Sequence, residues 1–285
     1  MQLFNEKAEF HKTQLFAALK SAKRYFAYAA LFSAAINILM LVPSLYMLQV
    51  YDRVVASGSE STLLMLTLIM VFLLSAMGGL EWVRSRVLVR ASTFLEQSLK
   101  NRVFNATFKQ SLVSGNSSPQ PLSDLTGLRQ FLTGQGLFAF FDAPWVPIYI
   151  LVMFLFHPAF GWIAIFGSVI LLILAYANEK LTRKKLKEAN QEAAWVSNFA
   201  GKNLRNAEVI ESMGMLGDVR QQWTSHGEKV LGLQTAASDW AGSFTSFSKS
   251  FRIILQSLIL GMGAYLAVNQ EISPGLMIAG SLLLG

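Results

Sequence analysis

Positive charge is confined to four tracts of this chain, and long uncharged stretches separate the tracts. All but one of the 24 Lys and Arg residues fall within residues 7–24, 84–129, 180–229 and 249–252. The exception, Arg53, lies on the other side of the uncharged stretches. This distribution is typical of a multi-spanning membrane protein whose N-terminus and basic loops face the cytosol. Almost all the polar mass of the chain is therefore predicted to face one compartment.

The composition favours the same class of protein. Hydrophobic residues make up 53% of the chain and charged residues 14%, and the mean hydropathy is +0.42. A soluble domain carries about a quarter charged residues. The net charge of +7 is therefore predicted to meet the anionic cytoplasmic leaflet and not nucleic acid. The absence of cysteine excludes disulfides and thiolate metal sites.

The chain is predicted to divide into a short N-terminal segment and a transmembrane domain. Residues 1–24 lack a cleavage signal, and residues 4–19 are predicted to form an amphipathic helix on the cytosolic membrane surface. The transmembrane domain covers residues 25–285. Its spans are predicted over residues 25–50, 61–82, 136–156, 160–178, 252–268 and 273–285.

The last predicted span is shorter than the others. The apolar segment 272–285 extends about 21 Å as a helix. A hydrocarbon core measures about 30 Å. We therefore expect the chain to be a fragment that ends within its sixth span.

Two internal excursions between the spans are predicted to form long helical stalks. The predicted external loops are short, but residues 81–135 and 179–251 are much longer, and the second stretch contains no proline. The helix of span two is predicted to continue to about Val113, giving a length of nearly 80 Å. Residues 114–123, with Pro119 and Pro121, are predicted to be a loop.

Two segments are candidates for the tips of these stalks. The first is residues 123–129, and the second is residues 206–219, which Gly214 and Gly217 interrupt. Met213 and Met215 suit a docking surface, because methionine adapts to the shape of a partner. The alternative is that these methionines pack between the stalk helices.

The chain carries no recognisable catalytic motif. Gly201-Lys202-Asn203 lacks the upstream glycine and the hydroxyl residue of a phosphate-binding loop. His11, His157 and His226 are scattered, and none has a carboxylate at ligand spacing in the sequence. Whether the chain takes part in catalysis is therefore left open.

Asp142 is an acidic residue just inside the predicted cytosolic end of span three. A charge at this depth is costly unless it is paired or hydrated, which favours a role in a pathway or gate. The alternative is a structural N-cap, with Pro144 in the first helical turn.

Three further residues are candidates for the pathway. Pro43 is predicted to kink span one and free a carbonyl group. Asp52 and Arg53 lie at the predicted external mouth, where they are placed to contact a passing chain. A local ion pair with Glu60 is the alternative.

Six motifs in order make the chain resemble a known family. They are VPSLYMLQVYDRV at 42–54, LEWVRSR at 80–86, FDAPW at 141–145, HP at 157–158, NAEVIESMGM at 206–215 and ISPGLMIA at 272–279. From about residue 25 to its end, the chain resembles the transmembrane half of type I secretion ABC exporters of the protease/lipase branch. The resemblance implies an all-α membrane domain of six helices with long cytosolic stalks.

The resemblance also implies a function and a set of partners. A homodimer in the bacterial inner membrane would carry an ATP-binding domain after span six, where ATP and magnesium bind. A periplasmic adaptor and an outer-membrane channel would complete the route. The exported proteins would be unfolded and carry C-terminal secretion signals, as proteases, lipases and repeat proteins do. The chain stops before the ATP-binding domain, so no cofactor is assigned to its own residues.

The same resemblance assigns residues 208–215 to coupling with the ATP-binding domain. The candidate coupling residues are Asp124, Arg129, Glu208, Glu211, Met213, Gly214 and Met215. Two other classes of protein remain as alternatives. A secondary transporter usually places charges or broken helices at the bilayer midplane, and here the middle of each predicted span is uncharged. A membrane scaffold or sensor has no need of paired stalks with docking tips.

Overall fold

The structure is a computed structural model that describes residues 23–114 and 120–285. No strand occurs in these residues, which form helices joined by short turns. The predicted all-α fold is confirmed. The predicted amphipathic helix of residues 4–19 lies outside the described residues. The chain divides into two compact units, Met1–His157 with Gly263–Leu283, and Pro158–Met262 with Leu284–Gly285.

The helices follow one another with few intervening residues. In chain order they are α1 (residues 23–39), α2 (Val42–Gln49), α3 (Glu60–Ser114), α4 (Gln120–Thr133), α5 (Gln135–Asp142), α6 (Val146–Phe156), α7 (Pro158–Arg205), α8 (Ala207–Ser212), α9 (Leu216–Val268) and α10 (Pro274–Leu284). A π-helical turn, Val50–Val55, follows α2, and a 3₁₀ turn, Ala143–Trp145, joins α5 to α6.

Proline interrupts the first apolar helix. Pro43 has no backbone N–H and cannot continue the hydrogen-bond ladder of α1. The chain therefore tightens before it, and the Leu41 N–H donates to the Ile38 carbonyl three residues back at 3.2 Å. Helix α2 then begins with Pro43 in its first turn. Pro43 therefore interrupts the hydrogen-bond ladder, and the kink of span one stays a prediction.

The long second helix is present as predicted. Helix α3 covers 55 residues, Glu60–Ser114, and extends about 80 Å. Its leucines recur at helical spacing and are buried against α4, with Leu88, Leu95 and Leu99 on α3 and Leu125 and Leu132 on α4. This stripe explains why α3 and α4 pair along their length.

The loop predicted over residues 114–123 is too long. Helix α4 already begins at Gln120, and Pro121 lies in its first turn. Proline is well accommodated there, because the first N–H groups of a helix have no partner within the helix. The prediction treated Pro121 as a breaker when it marks a helix start. Residues 115–119 lie outside the described residues.

The second unit contains α7, α8 and the part of α9 up to Met262. The helices approach closely at Gly167, where a Cβ would lie 2.5 Å from Leu255 Cδ1. Glycine at such a crossing allows close packing of two apolar helices. Phe160, Ala164 and Ile259 are fully or almost fully buried in the same unit.

Five helical segments are long and apolar enough to cross a membrane, judged by length and composition within the described residues. They are Lys23–Val55, Glu60–Leu112, Gly136–Phe156, Pro158–Arg205 and Leu216–Val268. The shorter apolar helix α10 follows them. The predicted membrane-protein class, with helices that continue far beyond their apolar parts, is therefore confirmed.

Candidate functional site

A buried arginine organises the polar interior of the first unit. Arg84 of α3 is 7% exposed, although it follows the apolar part of the helix by only a few residues. Its Nη1 donates to Asp142 Oδ1 at 3.0 Å and to Ser33 Oγ at 2.8 Å. The ring of Phe138 lies 4.7 Å from the guanidinium carbon. A charge in this position is stabilised by the carboxylate, the hydroxyl and the aromatic face together.

Asn37 extends this cluster to α6. Its Nδ2 donates to Asp142 Oδ1 at 2.9 Å and to the Ser33 carbonyl at 2.8 Å. The hydroxyl of Tyr149 lies 2.8 Å from Asn37 Oδ1 and 2.9 Å from the Asn37 carbonyl oxygen, and it donates its single proton to one of them. Hydrogen bonds to the Asp142 carboxylate and the Asn37 amide therefore join α1, α3, α6 and the end of α5.

The interpretation of Asp142 as an N-cap is wrong. Asp142 does precede the 3₁₀ turn, but its side chain makes no capping hydrogen bond. An N-cap side chain accepts from the second or third N–H of the helix. Here Pro144 is the second residue and has no N–H. The carboxylate instead accepts the charge-assisted bond from Arg84, 58 residues away in the sequence.

Asp52 holds the start of α10. It lies in the π-helical turn, where its Oδ1 accepts from the Gly275 N–H at 2.9 Å and its Oδ2 accepts from the Ser273 hydroxyl. A Cβ at Gly275 would lie 2.5 Å from Asp52 Oδ1 and 2.7 Å from the Leu48 carbonyl oxygen. Only glycine therefore fits this approach of the π-helical turn to α10.

The alternative of an ion pair with Glu60 is wrong. Among the described residues, no ion pair joins Asp52 or Arg53 to any residue. The carboxylate of Asp52 is already occupied at the N-terminus of α10. An ion pair with Glu60 would need the guanidinium of Arg53, which is exposed and makes no ion pair among the described residues.

A second contact joins two other turns of the first unit. His157 Nε2 lies 3.5 Å from Glu271 Oε2. His157 ends the segment before α7, and Glu271 lies between α9 and α10. The two contacts connect the three segments that are predicted to be external. Residues 52–60 contact residues 269–275, and His157 contacts residues 269–275 as well.

The tip of the second unit is a short helix with an exposed apolar surface. After α8, Gly214 adopts φ +68°. The N–H of Met215 donates to the Ile210 carbonyl and that of Gly214 to the Glu211 carbonyl, both at 3.0 Å. This pair of bonds is the Schellman motif, in which glycine occupies the left-handed position without strain.

The apolar side chains of the tip are exposed in the described chain. Met213 is 66% exposed and Met215 is 42% exposed, and Val209 is also exposed. This exposure favours a docking surface, which stays a prediction. Glu208 and Glu211 are exposed on the same short helix.

The first predicted tip has a different structure. Residues 123–129 are not bent but lie inside α4, and Leu125 is buried against α3. Arg129 Nη1 donates to Glu96 Oε2 of α3 at 3.2 Å. Arg129 therefore contacts α3 partway along the α3–α4 pair, while Asp124 lies closer to the start of α4.

Sequence reasoning missed a polar cluster between α7 and α9. His226 Nδ1 lies 2.9 Å from Glu192 Oε2, and Lys229 donates to the other carboxylate oxygen. The His226 ring lies against the Trp195 ring at a tilt of 30°, with 3.7 Å between centroids. The bonds from Lys229 and then from His226 hold the pKa of Glu192 below its ordinary value. The partners are 34 or more residues apart in the sequence, so no local spacing signals them.

No cluster in the described part of the chain is suited to a metal ion. Among residues 23–114 and 120–285, no three His, Asp or Glu side chains gather at a common point. The first unit holds a buried charge cluster and a tie at the turns, and the second unit holds an exposed tip.

Comparison with known proteins identifies the family of the chain. The family model described as ABC transporter transmembrane region matches residues 26–285. The chain is 38% identical over 270 residues to the type I secretion system ATP-binding protein PrsD of Rhizobium meliloti (strain 1021), covering 94% of this chain and 46% of that protein.

More distant relatives match over the same region. The leukotoxin export ATP-binding protein LtxB of Aggregatibacter actinomycetemcomitans is 22% identical over 291 residues, covering 98% of this chain and 40% of that protein. The alpha-hemolysin translocation ATP-binding protein HlyB of Escherichia coli is 21% identical over 288 residues, with the same coverage of 98% and 40%. The chain spans less than half the length of these relatives. From the family match and the helices that carry it, this membrane protein belongs to the ABC transporter transmembrane region family.

Proposed function

We propose that this chain is the transmembrane domain of an ATP-driven exporter in a type I protein secretion system. The observation that carries the proposal is the 38% identity to the PrsD protein along almost the whole chain. The relatives are named as ATP-binding proteins and this chain spans less than half of their length, which supports assigning ATP and magnesium to a part of the exporter other than the helices described here.

The proposed exporter acts in the bacterial inner membrane as a homodimer. The basic tracts support a cytosolic location for its N-terminus and long helical extensions, and an external location for Arg53 and the turn at residues 269–275. A periplasmic adaptor and an outer-membrane channel receive the exported chain. The substrates are unfolded proteins with C-terminal secretion signals, of the kind found in proteases, lipases and repeat proteins.

The tip at α8 is the proposed docking point for the ATP-binding domain. Its exposed apolar residues, Val209, Met213 and Met215, lie where the chain reverses between two helices of about 50 residues each. A few adaptable apolar contacts are sufficient to join a rigid helix end to a moving partner. Glu208, Glu211 and Gly214 shape this surface, and Asp124 and Arg129 are assigned to the corresponding region of the α3–α4 pair.

The Arg84–Asp142 cluster is the proposed gate, with Pro144 fixing the turn beside it. Separating a largely buried arginine from its carboxylate leaves an uncompensated charge, which costs several kcal/mol. Intermediate positions of α1, α3 and α6 are therefore unfavourable. The cluster stays closed or exchanges all its partners at once, which suits a domain that alternates between discrete states.

The turn around Asp52 is the proposed exit. Pro43 breaks the helix leading to it, and Arg53 is exposed beside it. While Asp52 holds the start of α10, the turn is tied to the last apolar helix. Release of this tie would free Asp52 to contact a passing polypeptide beside the already exposed Arg53.

The experiment that tests the function is deletion of the gene that encodes this chain. Proteins in the medium and in the cells are then compared by quantitative mass spectrometry. We expect one or a few proteins to disappear from the medium and accumulate inside the cell, and to return when the gene is restored from a plasmid. An unchanged set of secreted proteins contradicts the proposal.

A further inference from the structure

A basic groove lies on the face of α3 opposite Arg84, and the proposed transport cycle does not use it. Its lining residues are Trp82, Ser85, Arg86, Val89 and Arg90, and it encloses about 460 Å³. The guanidinium carbon of Arg86 lies 4.4 Å from the centre of the Trp82 ring. Trp82 is 59% exposed, and both arginines are exposed as well.

The arginines of the groove are separate from the buried cluster. Two residues advance an α-helix by about 200°, so Arg84 and Arg86 point to opposite sides of α3. Arg84 is occupied by Asp142 and Ser33. None of the ion pairs among the described residues involves Arg86 or Arg90. Glu81 lies about 140° around the helix from Arg86 and does not line the groove.

The groove lies at the end of the apolar part of its helix. Residues 61–80 are uncharged, and Trp82 follows two residues later. Tryptophan prefers the boundary between hydrocarbon and water. Arg86 and Arg90 lie about 6 and 12 Å further along α3. Helical side chains lean toward the N-terminus of their helix, which here is the apolar end. The two guanidinium groups therefore reach back toward the headgroup layer.

We propose that this groove binds the phosphate headgroup of an anionic phospholipid. Guanidinium groups bind phosphate through paired hydrogen bonds, and two arginines one turn apart can share a single phosphodiester. The Trp82 ring packs beside the glycerol and the upper acyl chain while keeping its N–H in the headgroup layer. The assignment to the cytoplasmic leaflet rests on the proposed orientation of the chain, but the lipid site itself does not.

Quenching of Trp82 fluorescence by brominated lipids tests the proposal. The protein is reconstituted into vesicles that contain equal fractions of phosphatidylglycerol and phosphatidylcholine, with bromine on one lipid or the other. The protein contains 6 tryptophans, and the difference from Trp82→Phe isolates the signal of Trp82. We expect stronger quenching by the brominated anionic lipid.

The charge dependence is tested with a matched pair of variants. Arg86→Gln/Arg90→Gln removes two charges from the groove, and Arg102→Gln/Lys109→Gln removes two exposed charges further along the same helix. Each basic residue near a membrane surface strengthens anionic lipid binding roughly fivefold, so the groove variant, which loses two, is expected to lose the lipid preference by roughly thirtyfold. The control variant is expected to keep it.

Four outcomes overturn the proposal. Equal quenching by both lipids in the unmodified protein shows that the groove has no anionic preference, and a preference that survives in the groove variant places the site elsewhere. Quenching by neither lipid shows that protein covers the groove, as a second copy of the chain would. Millimolar inorganic phosphate is expected to leave the preference unchanged. If it abolishes the preference, the groove is a site for soluble anions and not for lipid.

Discussion

Arg84 carries its positive charge into the interior of the first unit, where only its neighbours compensate for the loss of water. Asp142 supplies the opposite charge, and Ser33 and Phe138 complete the surroundings. The Arg84 Nε is buried and has no hydrogen-bond partner in the described residues. The stability of the buried guanidinium therefore depends on its remaining contacts with Asp142, Ser33 and Phe138.

Replacing one partner of this pair is expected to cost more than replacing both. Asp142→Asn leaves the Arg84 charge uncompensated and is expected to lower the free energy of unfolding by about 1–3 kcal/mol. The double variant Arg84→Gln/Asp142→Asn removes both charges and is expected to be more stable than Asp142→Asn. Thermal unfolding of the purified variants measures the coupling through a double-mutant cycle. Strictly additive effects of the two substitutions contradict a functioning ion pair.

Gly275 allows another residue-scale test. Gly275→Ala places a Cβ against the Leu48 carbonyl oxygen and the Asp52 carboxylate, and the resulting overpacking is expected to cost about 1–3 kcal/mol. Gly261→Ala in α9 is the matched control, because nothing lies within 4 Å of its added Cβ. This control is expected to be neutral or slightly stabilising, since alanine favours helix. Equal thermal stability of the two variants argues against close contact at Gly275.

At the scale of the helices, local sequence predicts most of the fold. The long α3 is visible from its uncharged run, its helical spacing of leucines and its lack of proline. The break at Pro43 and the glycine turn at Gly214 are local as well. Such features depend on backbone chemistry within a few residues, which the sequence displays directly.

The partners in the polar contacts of the candidate site are distant in the sequence and could not be predicted. Asp142 is local to Pro144 in sequence, which suggested a cap, but its partner Arg84 is on another helix. The partners of Asp52 lie more than 200 residues downstream. Nothing in the spacing of one sequence reveals such pairs, because they depend on how the helices pack. The sequence therefore predicts which charges need partners but not which partners they have.

The exposed tip gives the prediction at the scale of a single element. In the full-length exporter, Met213→Asp/Met215→Asp is expected to abolish the coupling of ATP hydrolysis to secretion, because carboxylates disrupt an apolar docking contact. The amount of inserted protein is expected to stay normal, since both side chains are exposed. Secretion and membrane-inserted protein are measured together. Normal secretion by this variant contradicts the docking assignment.

A matched variant separates the tip from the rest of the stalk. Gln221→Asp/Gln234→Asp also introduces two carboxylates, at exposed positions of α9 that lie away from the tip. This variant is expected to secrete at the normal rate. If it fails as completely as the tip variant, added negative charge and not the docking surface explains the loss.

For the whole molecule, the ties at the turns support the proposed orientation. Asp52 contacts the start of α10, and His157 contacts Glu271, so segments predicted to share one side of the membrane are in contact. The basic tracts predict that the stalks occupy the opposite side.

Cysteine labelling tests this orientation in a background that has no natural cysteine. Ser57→Cys and Asn269→Cys lie at exposed positions of the predicted external turns and are expected to react with a membrane-impermeant maleimide in intact cells. Gln222→Cys on α9 is also exposed but is expected to react only after the cells are opened. Labelling of Gln222→Cys in intact cells reverses the predicted orientation.

The length of α7 gives the second unit the mechanics of a lever. From Glu179, where its charged part begins, to its end at Arg205, the helix extends about 40 Å. A tilt of about 5° at the membrane therefore moves the tip by about 3.5 Å, which is close to the width of one atom layer. By the same geometry, a displacement of a few ångströms at the tip corresponds to a rotation of a few degrees among the apolar helices. The force on those helices is then larger than the force on the tip, in the same proportion as their movement is smaller.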